Sequence, residues 1–220
     1  AEFDISNEAF PFMACGAITV CDGLRARLFR ISFSGELAYE IAVPTRYGDA
    51  MIRALIEAGE EFGGCAYGTE ALGVMRIEKG HATGNELNGT TTALNLGMGH
   101  MVSTQKDSIG SVLSRRDGLT GDDALKLVGF KPCRTSDPVP AGSHLMTKGS
   151  PIDAKHDQGY VTSTCYSPTL GHHIAIGFLK SGNQRLGEIV RLVSPLTNIE
   201  HDVEVVSSHF VDPDGDKLRA

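Results

Sequence analysis

The chain has 220 residues, of which 41% are hydrophobic and 21% are charged, and its formal net charge is −7. This composition excludes an intrinsically disordered or collagen-like chain. No stretch approaches the ~18 consecutive apolar residues of a membrane span. The longest basic cluster is the pair Arg115-Arg116, so the sequence predicts neither a membrane nor a nucleic acid as a partner.

The five cysteines are widely spaced and include no C-x-x-C pair. This pattern predicts neither a disulfide framework nor a zinc knuckle, and it favours a reducing, cytoplasmic location. The chain opens without methionine or a signal-peptide pattern on residues 1–5, which are typical of the interior of a fold. We therefore expect a fragment of a longer protein.

The first third of the chain predicts antiparallel strands. Ser6 is a suitable N-cap for a short helix, which Pro11 limits to one or two turns. Alternating apolar residues follow, and Asp22-Gly23 predicts a two-residue turn between two strands, the second extending to Phe33. A third strand is predicted over residues 39–43.

Two amphipathic helices are predicted next. The first begins after Pro44-Thr45 and ends at Gly63-Gly64. The apolar residues expected on its buried face are Ala50, Met51, Ala54, Leu55 and Ala58. The second begins near Thr69 and ends at Lys79-Gly80. Strands followed by packed helices predict an α+β fold with an antiparallel sheet.

The remaining sequence divides into a polar part and a β-rich part. Residues 81–92 predict a long loop, residues 95–102 a strand, and residues 117–122 a linker. Short apolar runs separated by turn residues then extend from 125 to 210, which is typical of an all-β barrel or sandwich. The predicted domains are residues 1–122 and 123–220.

Several familiar catalytic motifs do not occur in the sequence. There is no G-x-G-x-x-G, no phosphate-binding P-loop and no G-x-S-x-G. Flavin and NAD chemistry is therefore expected outside this segment. His172 and His173 are adjacent and would point to opposite faces of a strand, so the sequence predicts no metal site.

Two charged residues are candidates for a binding site, and the residues alone leave their roles open. Glu36 follows a glycine and precedes Tyr39; its carboxylate could accept hydrogen bonds from a ring with N–H donors, or it could be a solvated turn residue. Arg76 lies in the last turn of the second helix, where it could contact a carboxylate-bearing ligand or simply complement the helix dipole.

Three segments together resemble the folate-dependent aminomethyltransferases, the T-protein family of the glycine cleavage system. Ser34-Gly35-Glu36 with Tyr39-Glu40-Ile41 resembles T-G-E-x-G-Y-E-I. Residues 75–80 (MRIEKG) resemble L-R-x-E-x-G. Leu96-Gly97-Met98-Gly99 with Lys106 and Ile109-Gly110 is similar to G-L-G-W followed by K-x-x-F-I-G, although His100 and Ser108 depart from the aromatic residues of that pattern.

Within that family, nearly the whole chain resembles the carboxy-terminal region of the alpha subunits of heterotetrameric sarcosine oxidases. The resemblance implies the rear part of a folate domain followed by a small all-β barrel. It also implies partners, namely the beta, gamma and delta subunits and a small-molecule folate. The implied reaction transfers the one-carbon unit of oxidised sarcosine to tetrahydrofolate, giving 5,10-methylenetetrahydrofolate, or formaldehyde when folate is absent.

The resemblance also implies site residues. Glu36 would hydrogen-bond the pterin ring and Arg76 would contact the folate, while Tyr39 and Lys106 would contribute shape and charge. The family's catalytic aspartate would lie upstream of residue 1, so this segment alone is not expected to turn over. Two alternatives remain: a stand-alone aminomethyltransferase or a dimethylglycine dehydrogenase-type folate domain, and a non-catalytic module that holds subunits together.

Overall fold

The computed structural model describes residues 3–220 and shows two compact units. One contains the chain up to Met75 together with Asp212–Ala220, and the other contains Arg76–Val211. The first holds an antiparallel sheet and the second a closed barrel. The predicted α+β class with a β-barrel is confirmed. Ala1 and Glu2, which opened the segment predicted to be interior, lie outside the described residues.

The sheet of the first unit has three antiparallel strands in sequential order, β1 (Cys15–Val20), β2 (Leu24–Phe29) and β3 (Glu40–Ala42). The predicted hairpin is confirmed, but Val20 pairs with Leu24, so the loop has three residues instead of two. Cys21 and Asp22 adopt φ values of 46° and 57°, a left-handed conformation that is uncommon for residues with a side chain.

One of two predictions around this sheet is wrong. After Ser6 the chain forms a single turn, the shorter of the two predicted lengths, in which the Phe10 N–H donates to the Ser6 carbonyl at 2.8 Å. The second strand ends at Phe29 instead of Phe33. The Ser32 Oγ accepts the Gly35 N–H at 3.0 Å and turns the chain, because a serine hydroxyl can replace a strand partner locally.

The first predicted helix is α1 (Gly48–Glu60), preceded by a 3₁₀ turn at Thr45–Tyr47. Its predicted glycine terminus is confirmed: Gly63 has a φ of 68°, and the Gly64 N–H donates to the Gly59 carbonyl at 2.8 Å. The predicted buried face is wrong, since Met51 is buried while Leu55 is 45% exposed. Periodicity predicts which residues share a face, but not whether another element covers it.

Helix α2 (Thr69–Lys79) has the predicted bounds, and its last turn is buried. The His81 N–H donates to the Arg76 carbonyl at 2.8 Å across Gly80, whose φ is 81°. A Cβ at Gly80 would be 2.4 Å from the Ser208 carbonyl oxygen. Both the backbone angle and the lack of space therefore require glycine at this helix terminus.

Residues 81–122 contain little regular structure. The loop predicted after Gly80 is confirmed, but the strand predicted over 95–102 is wrong: that segment is irregular, with a 3₁₀ turn at Gly99–Met101. Asn95 explains the difference, because its side chain accepts the Thr92 N–H at 2.7 Å and donates to the Leu125 carbonyl at 2.7 Å. The predicted linker contains α3 (Asp117–Thr120), a single helical turn.

The barrel has six antiparallel strands in the order β4-β7-β6-β5-β8-β9, closed by pairing of β9 with β4. The strands are β4 (Leu125–Pro132), β5 (His144–Met146), β6 (Asp157–Ser167), β7 (His172–Lys180), β8 (Ile189–Ser194) and β9 (Ile199–Val206). Its core consists of alternate apolar residues such as Phe130, Leu145 and Leu192, which are fully buried. Of the two β architectures predicted, the structure shows the barrel.

The pairing of β6 with β7 contains one irregularity. Val161 pairs with Gly177 and Ser163 with Ile176, so Thr162 is an extra residue in β6. Such a bulge re-aims the side chains that follow it. The chain ends in the first unit with a short helix, α4 (Asp216–Arg219).

Candidate functional site

A buried ion pair lies at the carboxyl end of α2. The Arg76 Nη1 is 3.2 Å from the Glu86 Oε2, and the two side chains are 9% and 0% exposed. Nη1 also donates to the His81 carbonyl at 3.2 Å. Helix α2 positions the arginine, while the loop that follows Gly80 folds back and positions the glutamate. Arg76 is thus held by the chain immediately after its own helix.

The barrel completes this network through the bulged strand. The Arg76 Nη2 donates to the Ser163 Oγ at 2.6 Å, and Ser163 donates in turn to the Glu86 Oε1 at 2.7 Å. The Thr83 N–H and hydroxyl both donate to Glu86 Oε2. A buried charged pair is stable only when its remaining donors and acceptors are satisfied, and here four residues form one satisfied group.

The electrostatics of Glu86 follow from these contacts. Burial alone would raise the pKa of this carboxyl group, because it disfavours the charged form. Hydrogen bonds from Thr162 and Ser163, the Thr83 N–H and the charge of Arg76 outweigh burial and lower the pKa below its ordinary value of 4.5. Glu86 is therefore ionised at neutral pH and serves as an acceptor and counter-ion.

A second buried carboxylate lies nearby on α2. Glu78 accepts a hydrogen bond from the Ser167 hydroxyl at 2.5 Å, and its backbone carbonyl accepts the N–H groups of Phe210 and Val211. Burial, and then the negative charge of Glu78, raise the pKa of the Cys165 thiol to about 12. Cys165 is therefore protonated at neutral pH and is a poor nucleophile.

The predicted pterin ligand Glu36 lies in the first unit. It is in an irregular loop before β3, and its side chain is 50% exposed. Its Oε1 forms an ion pair with the Lys217 Nζ of α4 at 3.1 Å. Within residues 3–220, Oε2 has no hydrogen-bond partner and remains available as an acceptor.

Tyr39 is anchored in the same unit. Its hydroxyl donates to the Ile5 carbonyl at 3.3 Å, and its ring lies 6.0 Å from the guanidinium carbon of Arg30. Arg30 is 1% exposed and donates to the carbonyl oxygens of Phe10 and Ala220. The residues around Glu36 and Tyr39 are thus fixed from both ends of this unit's chain.

Lys106 lines a cavity of about 430 Å³ in the second unit. Among the described residues that line it, Lys106 carries the single charge, and hydroxyl groups such as Thr92 and Ser111 alternate with apolar side chains. The structure therefore brings Glu36 and Tyr39 into one unit and Arg76 and Lys106 into the other. Their predicted contacts with folate stay predictions.

Four histidines of the second unit each contact a different partner. His144 pairs with Asp157 and His156 with Asp153, whereas the His172 ring contacts the carbonyl of His173. Across residues 3–220, no group of three or more metal-binding side chains converges. No helix in that range has the length and apolar character needed to cross a bilayer.

The two halves of the chain match two domains of a known protein family. The profile of the GCVT N-terminal domain matches residues 1–106. That of the glycine cleavage T-protein C-terminal barrel domain matches residues 126–212, which contain all six barrel strands except the first residue of β4. The chain belongs to the glycine cleavage T-protein family.

Within the T-protein family, the chain is similar to the alpha subunits of sarcosine oxidases. It is 45% identical to the subunit of Rhizobium meliloti (strain 1021) over 217 residues, 98% of this chain and 22% of that protein. It is 38% identical to the subunit of Corynebacterium sp. (strain P-1), over 97% of this chain and 22% of that protein. The chain thus spans about a fifth of these relatives.

A solved T-protein has the same fold. The crystal structure of glycine cleavage system aminomethyltransferase T from Bartonella henselae superposes with a TM-score of 0.72 at 21% identity. The match covers 94% of this chain and 54% of that one. The aminomethyltransferase of Halothermothrix orenii is 32% identical over 86% of this chain and 51% of that protein.

Sequence reasoning missed three residues of these clusters. Glu86 lies in a polar loop without periodicity, and Ser163 lies inside a strand where serine carries no distinctive signal. Lys217 lies 181 residues from Glu36. One local signal for Glu86 was available in the sequence. Glu86 lies three residues after Thr83, and that spacing permits its carboxylate to accept a hydrogen bond from the Thr83 N–H.

Proposed function

We propose that this chain is the folate-binding region of a sarcosine oxidase alpha subunit. In this role it transfers the one-carbon unit of oxidised sarcosine, an imine, to tetrahydrofolate, which forms 5,10-methylenetetrahydrofolate and releases glycine. Without folate the imine is hydrolysed to formaldehyde and glycine. The observation that carries the proposal is the 45% identity to such a subunit across 98% of this chain. The matches to the two T-protein domains add support, because relatives of the chain include an aminomethyltransferase.

We propose that Glu36 and Tyr39 contact the folate. A pterin edge presents N–H groups that suit a carboxylate acceptor, and the Glu36 Oε2 is available for this contact. Lys106 and Arg76 would contribute positive charge toward a carboxylate-bearing ligand. Because Arg76 already contacts Glu86 and Ser163, it would act in part by fixing the loop after α2. Holding folate close to the imine that sarcosine oxidation produces accelerates one-carbon transfer by proximity.

The proposed partners are the beta, gamma and delta subunits of such a complex, with the flavin and NAD sites outside this segment. A cytoplasmic location fits the five free cysteines in the structure. We further infer that the isolated chain binds tetrahydrofolate weakly and does not turn over, since it spans only 22% of the related sarcosine oxidase subunit and 51% of a related aminomethyltransferase. Calorimetric titration of the 220-residue chain with tetrahydrofolate tests this, and tight binding would contradict it.

The function is tested by product partitioning in an intact sarcosine-oxidising complex that contains this chain. Glu36→Gln removes the charged acceptor from an exposed loop without disturbing a core. We expect the ratio of 5,10-methylenetetrahydrofolate to formaldehyde to fall about tenfold, as the loss of a charge-assisted hydrogen bond predicts. Glu40→Gln, which changes an exposed carboxylate on β3, is the matched control and should leave the ratio unchanged.

The two alternatives give different results in this assay. A stand-alone aminomethyltransferase would form methylenetetrahydrofolate without sarcosine oxidation. A subunit-interaction module would show the same product ratio for Glu36→Gln and the unaltered protein. The second result would overturn the folate role of this region.

A further inference from the structure

A cavity of about 450 Å³ opens beside the β1–β2 turn, in the unit that holds the three-stranded sheet. Arg25 of β2 and Arg46 of the 3₁₀ turn before α1 are the charged residues among its described lining, which contains no carboxylate. Glu36 and Tyr39 are not part of this lining. The cavity is therefore distinct from the residues assigned to folate.

Both arginines are exposed, and neither has a counter-ion among the described residues. Neither guanidinium forms an ion pair or hydrogen bond with another of residues 3–220, although the chain as a whole carries a net charge of −7. The nearby Asp49 is paired with Arg53 at 2.9 Å. Two cations that face one cavity repel each other, and a bound anion removes that repulsion.

Arg46 is also oriented by its neighbour. Its guanidinium carbon lies 4.7 Å from the centre of the Tyr47 ring, within the range of a cation–π interaction. The Tyr47 N–H donates to the Pro44 carbonyl at 2.9 Å, which fixes the turn that carries both side chains. Restricting an arginine before binding reduces the entropy that a ligand contact costs.

The rest of the lining is apolar. Leu24 and Pro44 contribute apolar surface to the lining, and Tyr47 adds an aromatic ring. A volume of about 450 Å³ lies within the ordinary range of small-molecule sites, which combine apolar walls with a few polar groups. Guanidinium groups bind carboxylate and phosphate oxygens through paired hydrogen bonds.

We propose that this cavity binds a small organic oxyanion, a carboxylate or phosphate with a flat or apolar body. The guanidinium groups of Arg25 and Arg46 hold the oxyanion, and the body lies against Leu24, Pro44 and Tyr47. This site does not depend on the folate proposal. Its test therefore separates failure of one proposal from failure of the other.

The test is titration of the 220-residue chain with phenyl phosphate and with benzoate at constant ionic strength, followed by calorimetry and amide chemical shifts. We expect at least one of the two probes to bind and to shift the amides of Arg25 and Tyr47. Binding of phenyl phosphate identifies the phosphate class and binding of benzoate the carboxylate class. Arg25→Gln and Arg46→Gln should each weaken binding about tenfold.

Arg27→Gln is the matched control, because Arg27 is an exposed arginine of the same strand that does not line the cavity. It should leave the affinity unchanged. Equal weakening by all three substitutions would show attraction by general charge and overturn the site. Absence of binding by both probes, or shifts confined to other residues, would overturn it as well.

Discussion

Glu86 is a fully buried carboxylate whose two oxygens are committed to Arg76, Ser163 and Thr83. Glu86→Gln keeps the shape of the side chain but leaves the Arg76 charge buried without its counter-ion. We expect the free energy of unfolding to fall by about 3–5 kcal/mol, as when one member of a buried pair is removed. Urea denaturation monitored by circular dichroism measures the change.

Glu188 provides the comparison for that substitution. It pairs with Arg185 at 2.8 Å, but its side chain is 41% exposed, so solvent screens the pair. Glu188→Gln should cost less than about 1 kcal/mol. Equal losses for the two variants would show that burial does not govern the strength of the Arg76–Glu86 pair.

The protonated state of Cys165 can be measured directly. Its pKa of about 12 leaves only on the order of 1 in 10⁴ of the thiol ionised at pH 8, and the thiolate is the reactive form. We expect iodoacetamide to modify the exposed Cys15 on the order of 10³ times faster than Cys165. Mass spectrometry of timed digests gives both rates, and similar rates would be evidence against the burial of Cys165.

Residue-scale prediction succeeded where a local pattern carried the information. Gly35 and Tyr39 flank Glu36 in a motif, so a turn position for Glu36 could be anticipated. Glu86 and Ser163 are 77 residues apart, and nothing in their own neighbourhoods specifies that they meet. Their contact depends on the Thr162 bulge and on how the loop after α2 folds, which a single sequence does not encode locally.

At the scale of elements, the glycine at the end of α2 is under two constraints. Gly80 combines a φ of 81° with a Cβ position only 2.4 Å from the Ser208 carbonyl oxygen. Gly63, after α1, has a φ of 68° and open space around it. Gly63→Ala should therefore cost about 1 kcal/mol from backbone strain alone, and Gly80→Ala should cost more than about 2 kcal/mol.

Thermal denaturation of both variants measures this difference. Equal destabilisation by Gly80→Ala and Gly63→Ala would show that Ser208 can move away without a loss of stability. The close approach of the two backbones would then not constrain the helix end.

The same glycines explain why the helices were predictable from sequence. A glycine that follows apolar residues at helical spacing specifies a helix end. Helix α2 therefore has the predicted bounds, and α1 has the predicted terminal turn. The segment 95–102 has an apolar pattern as well, but hydrogen bonds from the Asn95 side chain replace a strand ladder. Strand prediction fails there because the deciding contact, with Leu125, is distant in sequence.

For the whole molecule, the lowered pKa values of His209 and Glu86 both contribute to the pH dependence of stability. His209 is exposed at the surface, but partial desolvation of its ring, together with the charges of Lys79 and His81, lowers its pKa below the ordinary value of 6.5. The unfolded chain therefore takes up protons first, and the stability that neutral His209 provides is lost as the pH falls below about 6.5. The contribution of Glu86 persists above its unfolded pKa and is lost as the pH falls through its lower folded value.

Urea denaturation between pH 7.5 and pH 3 is expected to show both losses in sequence. His209→Gln should flatten the decline near pH 6, while Glu86→Gln should flatten the decline below pH 4.5, where that carboxyl ordinarily titrates. Unchanged profiles in both variants would assign the pH dependence to other groups.

The pairing of β4 with β9 means that the chain enters and leaves the barrel on neighbouring strands. Gly129 lies opposite Val206, and Pro132 lies opposite Val203. A domain whose two chain ends are adjacent can be inserted, transferred or circularly permuted with little rearrangement of what surrounds it. This portability offers a structural reason why one barrel can serve proteins as different in length as an aminomethyltransferase and a sarcosine oxidase subunit.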